Sequence, residues 1–214
     1  MLVLTNIKAS RFPNRVNLVF SDGSYLPFFI DDTIKLSLKK NQSITPKLLT
    51  KITTTSLTYL GTDYSLRQIA LSPKTEKIIA DKLKLYFSRL KHKFALFSSI
   101  PTAKIITNII LQLKSKKFLN PDNFISSFIT RNKSKSVSEI KFLLRQKGIN
   151  SQDIPNLPSQ NDIDAIKTIL AKKKPTRKLM ADFKQKQRLY ASLFRRGFQI
   201  SDIKAAIDDY LSLK

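Results

Sequence analysis

Two stretches of the chain, LLRQKGINSQDI at 143–154 and SLFRRGFQISDI at 192–203, carry a basic cluster, a glycine, an apolar residue and an Asp-Ile pair at the same relative positions. Gly148 and Gly197 are 49 residues apart, and so are Asp153 and Asp202. A fixed period of this size marks a supersecondary unit that is repeated and buries its apolar face against its neighbours. Glycine is scarce, with 4 in 214 residues, so glycines kept in phase are there for their backbone. Past the end of a helix, glycine takes the positive φ that closes the last turn at little steric cost. The phrase therefore reads as helix, stop, an apolar side chain folded back to the core (Ile149 and Phe198), and a new turn or helix from Asp-Ile. In this reading Gly148, Gly197, Ile149 and Phe198 belong to the scaffold.

The remainder of the chain sorts by periodicity. Val3–Ala9 is mostly apolar, and Arg15–Phe20 alternates Val16, Leu18 and Phe20 with Arg15, Asn17 and Val19. Asp22-Gly23 supplies a hairpin turn, and Ser24–Ile30 resumes as a strand that Pro27, lacking an N–H, assigns to an edge. From Asp31 the period becomes helical. Asp31-Asp32 is placed to cap a short helix over Thr33–Lys39, and Thr45-Pro46 opens another. The triplet Thr53-Thr54-Thr55 weakens that second helix, and Ser65–Leu71 reads as a separate short one. Pro73, Pro101 and Pro121 each open a further helix. Ser136-x-x-Glu139 is a capping box, with the hydroxyl taking the Glu139 N–H and the carboxylate reaching back to the cap. Pro155 and Pro158 make 150–159 the most irregular stretch of this half. Helices follow from Asp162, from around Leu179 after a break at Pro175, and from Ser201. The residues alone thus predict a small β-hairpin module followed by many helices, some in repeated units.

Charge narrows the function. Lys and Arg number 39 against 15 Asp and Glu, for a net charge of +24 and a pI near 10.3. Residues 1–60 hold 8 basic and 3 acidic residues, and 61–214 hold 31 and 12. Charge spread this way belongs to folded helices with basic faces that attract polyanions, rather than to a basic tail. A lysine-rich composition bias would enlarge the excess without creating the interaction. Enzyme chemistry is poorly served. His92 is the only histidine and cysteine is absent, which rules out thiolate ligands and thiol nucleophiles. Asp31-Asp32 and Asp208-Asp209 are the only paired carboxylates, and adjacent residues on a helix do not share a face. None of the four glycines lies in a phosphate-cradling motif. The expectation is no enzyme, no cofactor and no metal. No segment approaches the roughly 20 apolar residues of a membrane span, and the N-terminus lacks signal-peptide features. A cytoplasmic location without membrane contact is expected.

The candidate binding surface is basic. Arg131, Lys133 and Lys135 form the run RNKSK ahead of the capping box. Arg145 and Lys147 close the following helix. Lys172, Lys173 and Lys174, with Arg177 and Lys178, flank Pro175, and Arg188, Arg195 and Arg196 lie on the penultimate helix. Basic residues in a last turn also favour the helix dipole, which accounts in part for Arg145, Lys147, Arg195 and Arg196. The KKK and RNKSK runs have no such structural reason. Side chains of this density suit phosphate contacts without base readout. Most Tyr and Phe fall at core spacing and are not assigned as base-stacking residues.

These residues also resemble a family, the RecX regulatory proteins of bacteria. Ser72-Pro73-Lys74-Thr75-Glu76 resembles the family's Arg-Pro-Arg-Ser-Glu at the opening of its first repeat. Lys117-Phe118-Leu119-Asn120-Pro121-Asp122-Asn123-Phe124 resembles its Gly-Tyr-Leu-Asp-Asp…Phe junction. Ile140…Leu144…Lys147-Gly148-Ile149 and Arg188-Leu189-Tyr190…Leu193…Arg195-Arg196-Gly197-Phe198 resemble the cores of the second and third. The chain departs from the pattern at Ser136, where a glycine is common, and at Leu143, where an acidic residue is usual. The resemblance implies a mainly α, elongated fold: a small N-terminal β-hairpin module (1–60) followed by tandem three-helix, helix-turn-helix-like repeats at 61–113, 114–160 and 161–214, the first divergent. It also implies a monomer that binds the filament of RecA on single-stranded DNA, with duplex DNA a further ligand. Such a protein would mainly inhibit RecA's ATPase, recombinase and co-protease activities in DNA repair. The alternatives are a helix-turn-helix DNA-binding protein or transcription regulator without a RecA partner, and a basic protein of the ribosome.

Overall fold

The alternation at 15–20 becomes strand β2 (Arg15–Phe20), with Val16, Leu18 and Phe20 buried and the residues between them half-buried. The computed structural model describes residues 2–158, 160–175 and 182–212. The chain divides into two units, Met1–Asn120 and Pro121–Lys214.

In the first unit, β1 (Leu2–Ala9), β2, β3 (Tyr25–Phe29) and β4 (Gln42–Ile44) form an antiparallel sheet in the order β3-β2-β1-β4. β3 is an edge strand, as Pro27 requires. β4 is not evident from the sequence, because three residues are too few to show alternation. Between β3 and β4 lies the short helix α1 (Ile30–Lys35). It starts one residue before the expected Asp31-Asp32 cap, so both aspartates stand in its first turn, where they complement the dipole.

The sheet's buried face packs on α2 (Pro46–Leu71), where Ile52, Leu57 and Leu60 are buried. This is one helix of 26 residues, not two short ones, and residues 60 and 61 lie inside it. Two physical effects explain the difference. The Thr53 hydroxyl donates to the carbonyl of Leu49 at 2.9 Å, as that of Thr58 does to Thr54, so these two β-branched residues satisfy their hydroxyls within the helix. Gly61, inside the helix, is a contact point. A Cβ there would lie 2.6 Å from Phe87 Cζ and 2.7 Å from Ile109 Cδ1. Those residues belong to α3 (Glu76–Lys93) and α4 (Thr102–Ser115), which complete the unit's core. α3 starts later than Pro73 suggests, because the Thr75 hydroxyl accepts the Ile78 N–H at 3.2 Å and caps it. Arg15 and Arg67 both bond Asp63, at 2.5 and 2.7 Å, fastening β2 to α2.

The second unit comprises α5 (Pro121–Arg131), α6 (Val137–Gln146), α7 (Gln160–Lys173), α8 (Phe183–Phe194) and α9 (Ile200–Ser212). Ala165, Ile166, Ile169 and Leu170 of α7 share a core with Leu189, Leu193, Phe198, Ile203, Ala206 and Ile207. α7 and α9 begin at Gln160 and Ile200, so Asp162 and Ser201 lie inside helices rather than ahead of them. The two copies of the repeated phrase diverge beyond the glycine. After Gly197 the chain enters α9. After Gly148 only a 3-10 turn forms, Ser151–Asp153, and Ile154 is already extended at φ −82°, ψ 119°. Pro155 explains this, because it disfavours the helical conformation of the residue before it.

Candidate nucleic-acid interface

The basic residues singled out by sequence stand where caps and turns put them. Ser136 is fully buried (0% exposed) and caps α6, its Oγ accepting the Glu139 N–H at 3.1 Å. The same hydroxyl donates to the carbonyl of Arg196 at 2.7 Å, so the start of α6 is bonded to the turn that follows α8. The Val137 N–H donates to the Asp162 carboxylate at 2.7 Å. Two of the amides left open at the start of α6 are thereby satisfied, one of them from another helix. The expected return of Glu139 to the cap is not what its carboxylate does. It forms an ion pair with Lys135 instead.

The bond from Ser136 brings the turn Arg195–Gly197 against the loop that carries Lys133 and Lys135. Gly197 has φ +84°, and a Cβ on it would lie 2.9 Å from Ser136 Oγ. Arg131, Lys133, Arg195 and Arg196 are exposed and Lys135 is half-buried. Lys133 and Lys135 also line a hollow of about 290 Å³ with Asn161, Asp164 and Thr168 of α7. Arg195 is partly structural, since its backbone N–H and its Nε both reach the Ala191 carbonyl, at 3.1 and 3.3 Å.

A second group forms at the other end of α7. Lys172, Lys173 and Lys174 are exposed, and Lys173 Nζ donates to Ser192 Oγ of α8 at 3.4 Å. Lys174 has φ +47°, and its N–H closes the helix on the Leu170 carbonyl at 2.7 Å. Lys173 and Arg188 share a hollow of about 440 Å³. Lys172 and Lys173 lie in the last turn of α7, and Arg131 in the last turn of α5. The dipole argument therefore reaches part of both the KKK and RNKSK runs, contrary to the sequence expectation. Arg177 and Lys178 lie outside the described residues. Arg145 and Lys147 lie at the C-terminal end of α6, the opposite end from Ser136, where Gly148 (φ +88°) closes the helix. There the Ile149 N–H reaches the Leu144 carbonyl at 3.1 Å and the Gly148 N–H reaches Arg145 at 2.9 Å, a Schellman closure.

Asp162 is 6% exposed, and burial raises its pKa above the ordinary carboxylate value. The Val137 N–H opposes the rise and Asp202 adds to it. Sequence reading missed both Asp162 and the Ser136–Arg196 bond, whose partners are 25 and 60 residues apart. The one local signal is Ser136 itself, a hydroxyl where a glycine is common. Among the described residues no group of three or more His, Asp or Glu could hold a metal ion, and no helix is long and apolar enough to cross a membrane.

Comparison with known proteins gives a consistent family likeness. Residues 160–207 match the sequence model of RecX, third three-helix domain. The chain is 31% identical over 207 residues to the regulatory protein RecX of Clostridium beijerinckii, covering 92% of this chain and 91% of that one. It is 26% identical over 201 residues to the regulatory protein RecX of Streptococcus mutans, covering 91% and 73%. Two crystal structures share its fold. One, of regulatory protein RecX, has a TM-score of 0.64 at 20% identity and covers 97% of this chain and 100% of that one. The other, of RecX from Lactobacillus salivarius, has a TM-score of 0.56 at 21% identity and covers 74% and 98%.

Proposed function

Because the chain belongs to the RecX family of bacterial regulatory proteins, which are not enzymes, we propose that it binds the RecA filament on single-stranded DNA and mainly inhibits it. The observation that carries this reading is the pair of basic groups on the second unit. Lys133, Lys135, Arg195 and Arg196 gather at the start of α6, and Lys172, Lys173, Lys174 and Arg188 at the end of α7. The groups are set about one helix length apart, since the 14 residues of α7 span ~20 Å at 1.5 Å per residue. Two separated cationic groups on a rigid helical frame suit a charged polymer, where one deep pocket would suit a small anion. Base-edge readout is not needed for this task, because a filament presents repeating phosphates and protein rather than a sequence.

The helices divide into three units that follow the resemblance. The end of α2 with α3 and α4 makes the first (61–113). α5, α6 and the 3-10 turn make a second whose last helix is cut short by Pro155 (114–160). α7, α8 and α9 make the third (161–214). The protein acts as a cytoplasmic monomer and also contacts duplex DNA through the same charges. It supports DNA repair by slowing RecA's ATPase, recombinase and co-protease activities.

The test is RecA's DNA-dependent ATP hydrolysis, with cognate RecA and the full chain added from substoichiometric to equimolar amounts. Inhibition that rises across this range supports the proposal. An unchanged rate with folded protein overturns it. A footprint on one duplex operator, without inhibition, would instead favour a transcription regulator.

A further inference from the structure

The first unit holds a cleft of about 450 Å³ between the β2–β3 side of the sheet and helices α2 and α3. Arg11, Arg15 and Lys93 line it, and no acidic side chain does among the described residues. Two exposed rings stand at it, Phe12 at 41% and Tyr25 at 46% exposure. The cations already lie against aromatic faces. Arg11 and Arg15 are 5.0 and 5.2 Å from the Phe12 ring centre, and Lys93 is 5.4 Å from that of Phe94. Tyr25 touches Phe94 edge-on, with centres 5.4 Å apart, which leaves much of its ring in solvent. Asp63 and Tyr59 hold Arg15 from behind, so its guanidinium is fixed in place.

From this we infer that the cleft binds single-stranded nucleic acid, taking one unstacked base against Tyr25 and backbone phosphates on Lys93, near that ring, and on Arg11 at the other end of the cleft. A base needs a π-face and a phosphate needs cations, and the cleft offers both within a volume suited to a small ligand. A duplex offers no free base face, and an acidic peptide would use the cations but leave the exposed rings without purpose. Aromatic residues in the sequence fall mostly at core spacing, and the β2–β3 pairing, which sets Tyr25 opposite Val19 and Arg15 opposite Phe29, places Tyr25 and Phe12 at the two ends of the cleft. This inference goes beyond the proposed function, and its test contains no RecA, so each can fail alone.

The experiment compares binding of the full chain to a twelve-residue oligothymidylate and to an abasic strand of equal length and charge. The thymidylate is expected to bind at least about fivefold tighter, the gain of one stacked base. Tyr25→Ala should bring the ratio close to one, and Tyr25→Phe should keep it. Should Tyr25→Ala misfold, Arg11→Ala in the exposed loop should still lower affinity for both strands. A ratio of one in the unaltered protein overturns the inference, as does a ratio that Tyr25→Ala leaves intact. Oligoglutamate binding that is as tight as thymidylate and equally sensitive to Tyr25→Ala overturns it too, and assigns the cleft to an acidic protein segment.

Discussion

At the scale of single residues, the two phased glycines are equal in conformation. Both hold the left-handed φ, +88° at Gly148 and +84° at Gly197. An alanine at either costs ~1–2 kcal/mol from the backbone alone. At Gly197 the new Cβ would also press on Ser136 Oγ at 2.9 Å. Urea unfolding is therefore expected to show Gly197→Ala costing more than the backbone alone accounts for, with that excess vanishing when Ser136→Ala is present. Ser136→Ala alone should cost ~2 kcal/mol, because the Glu139 N–H loses its cap and the Arg196 carbonyl its donor. Asp162 gives a prediction in pH. Its pKa is raised in the folded state, so the native protein binds this proton more tightly than the unfolded chain does. Its contribution to stability therefore grows as pH falls through the folded pKa and is lost as pH rises through it. Relative to Asp162→Asn, which keeps an acceptor for the Val137 N–H, the unaltered protein should gain stability from pH 7 towards pH 4. A difference that is flat or of opposite sign would show that burial is not what governs the carboxylate.

At the scale of elements, α2 shows where local signals and packing disagree. Helix propensity ranks Gly well below Ala, by ~1 kcal/mol in a helix interior. Gly61→Ala should nonetheless destabilise the protein by ~1–3 kcal/mol, the cost of overpacking, because the Phe87 ring and the Ile109 δ-methyl occupy the space. Ile109→Val removes one of the two obstructing atoms and should restore part of the loss in the double variant. Thermal unfolding of the four proteins in this cycle tests it. The same case shows what the sequence could reveal. Elements with their own periodicity were legible: β2, β3, α4 and the capped α6 with its glycine stop. The long α2 was not, since Thr53-Thr54-Thr55 reads as a weak stretch and Ser65–Leu71 as a separate helix until the Leu49 carbonyl and the faces of α3 and α4 are in view. The truncated helix after Gly148 was half-legible: Pro155 announced irregular chain, but the repeat suggested a helix. In the binding surface, each basic run was visible by composition. Its grouping was not, because the bond from Ser136 to Arg196 joins residues 60 apart in the chain.

At the scale of the whole molecule, the issue is whether +24 of net charge acts as a field or through placed contacts. Salt dependence separates the two. Each phosphate neutralised on a single strand contributes about −0.7 to the slope of log affinity against log salt. If Lys172, Lys173 and Lys174 each take a phosphate, replacing all three with Gln should lower the magnitude of that slope by about 2. Affinity for the RecA filament should fall in parallel. Losing Lys172 and Lys173 from the last turn of α7 also removes a favourable dipole interaction, ~0.3–1 kcal/mol each at most, so the unfolding midpoint must be measured alongside. The informative control is Arg145→Gln with Lys147→Gln, which removes charge from the end of α6 opposite Ser136. A field responds to the number of charges removed, so the double variant would shift the slope by about two-thirds as much as the triple. Placed contacts respond to position, so the double variant would leave the slope unchanged while the triple lowers it. Equal shifts per charge in the two variants would overturn the grouping on α6 and α7 and leave the basic runs as a solubilising and steering surface.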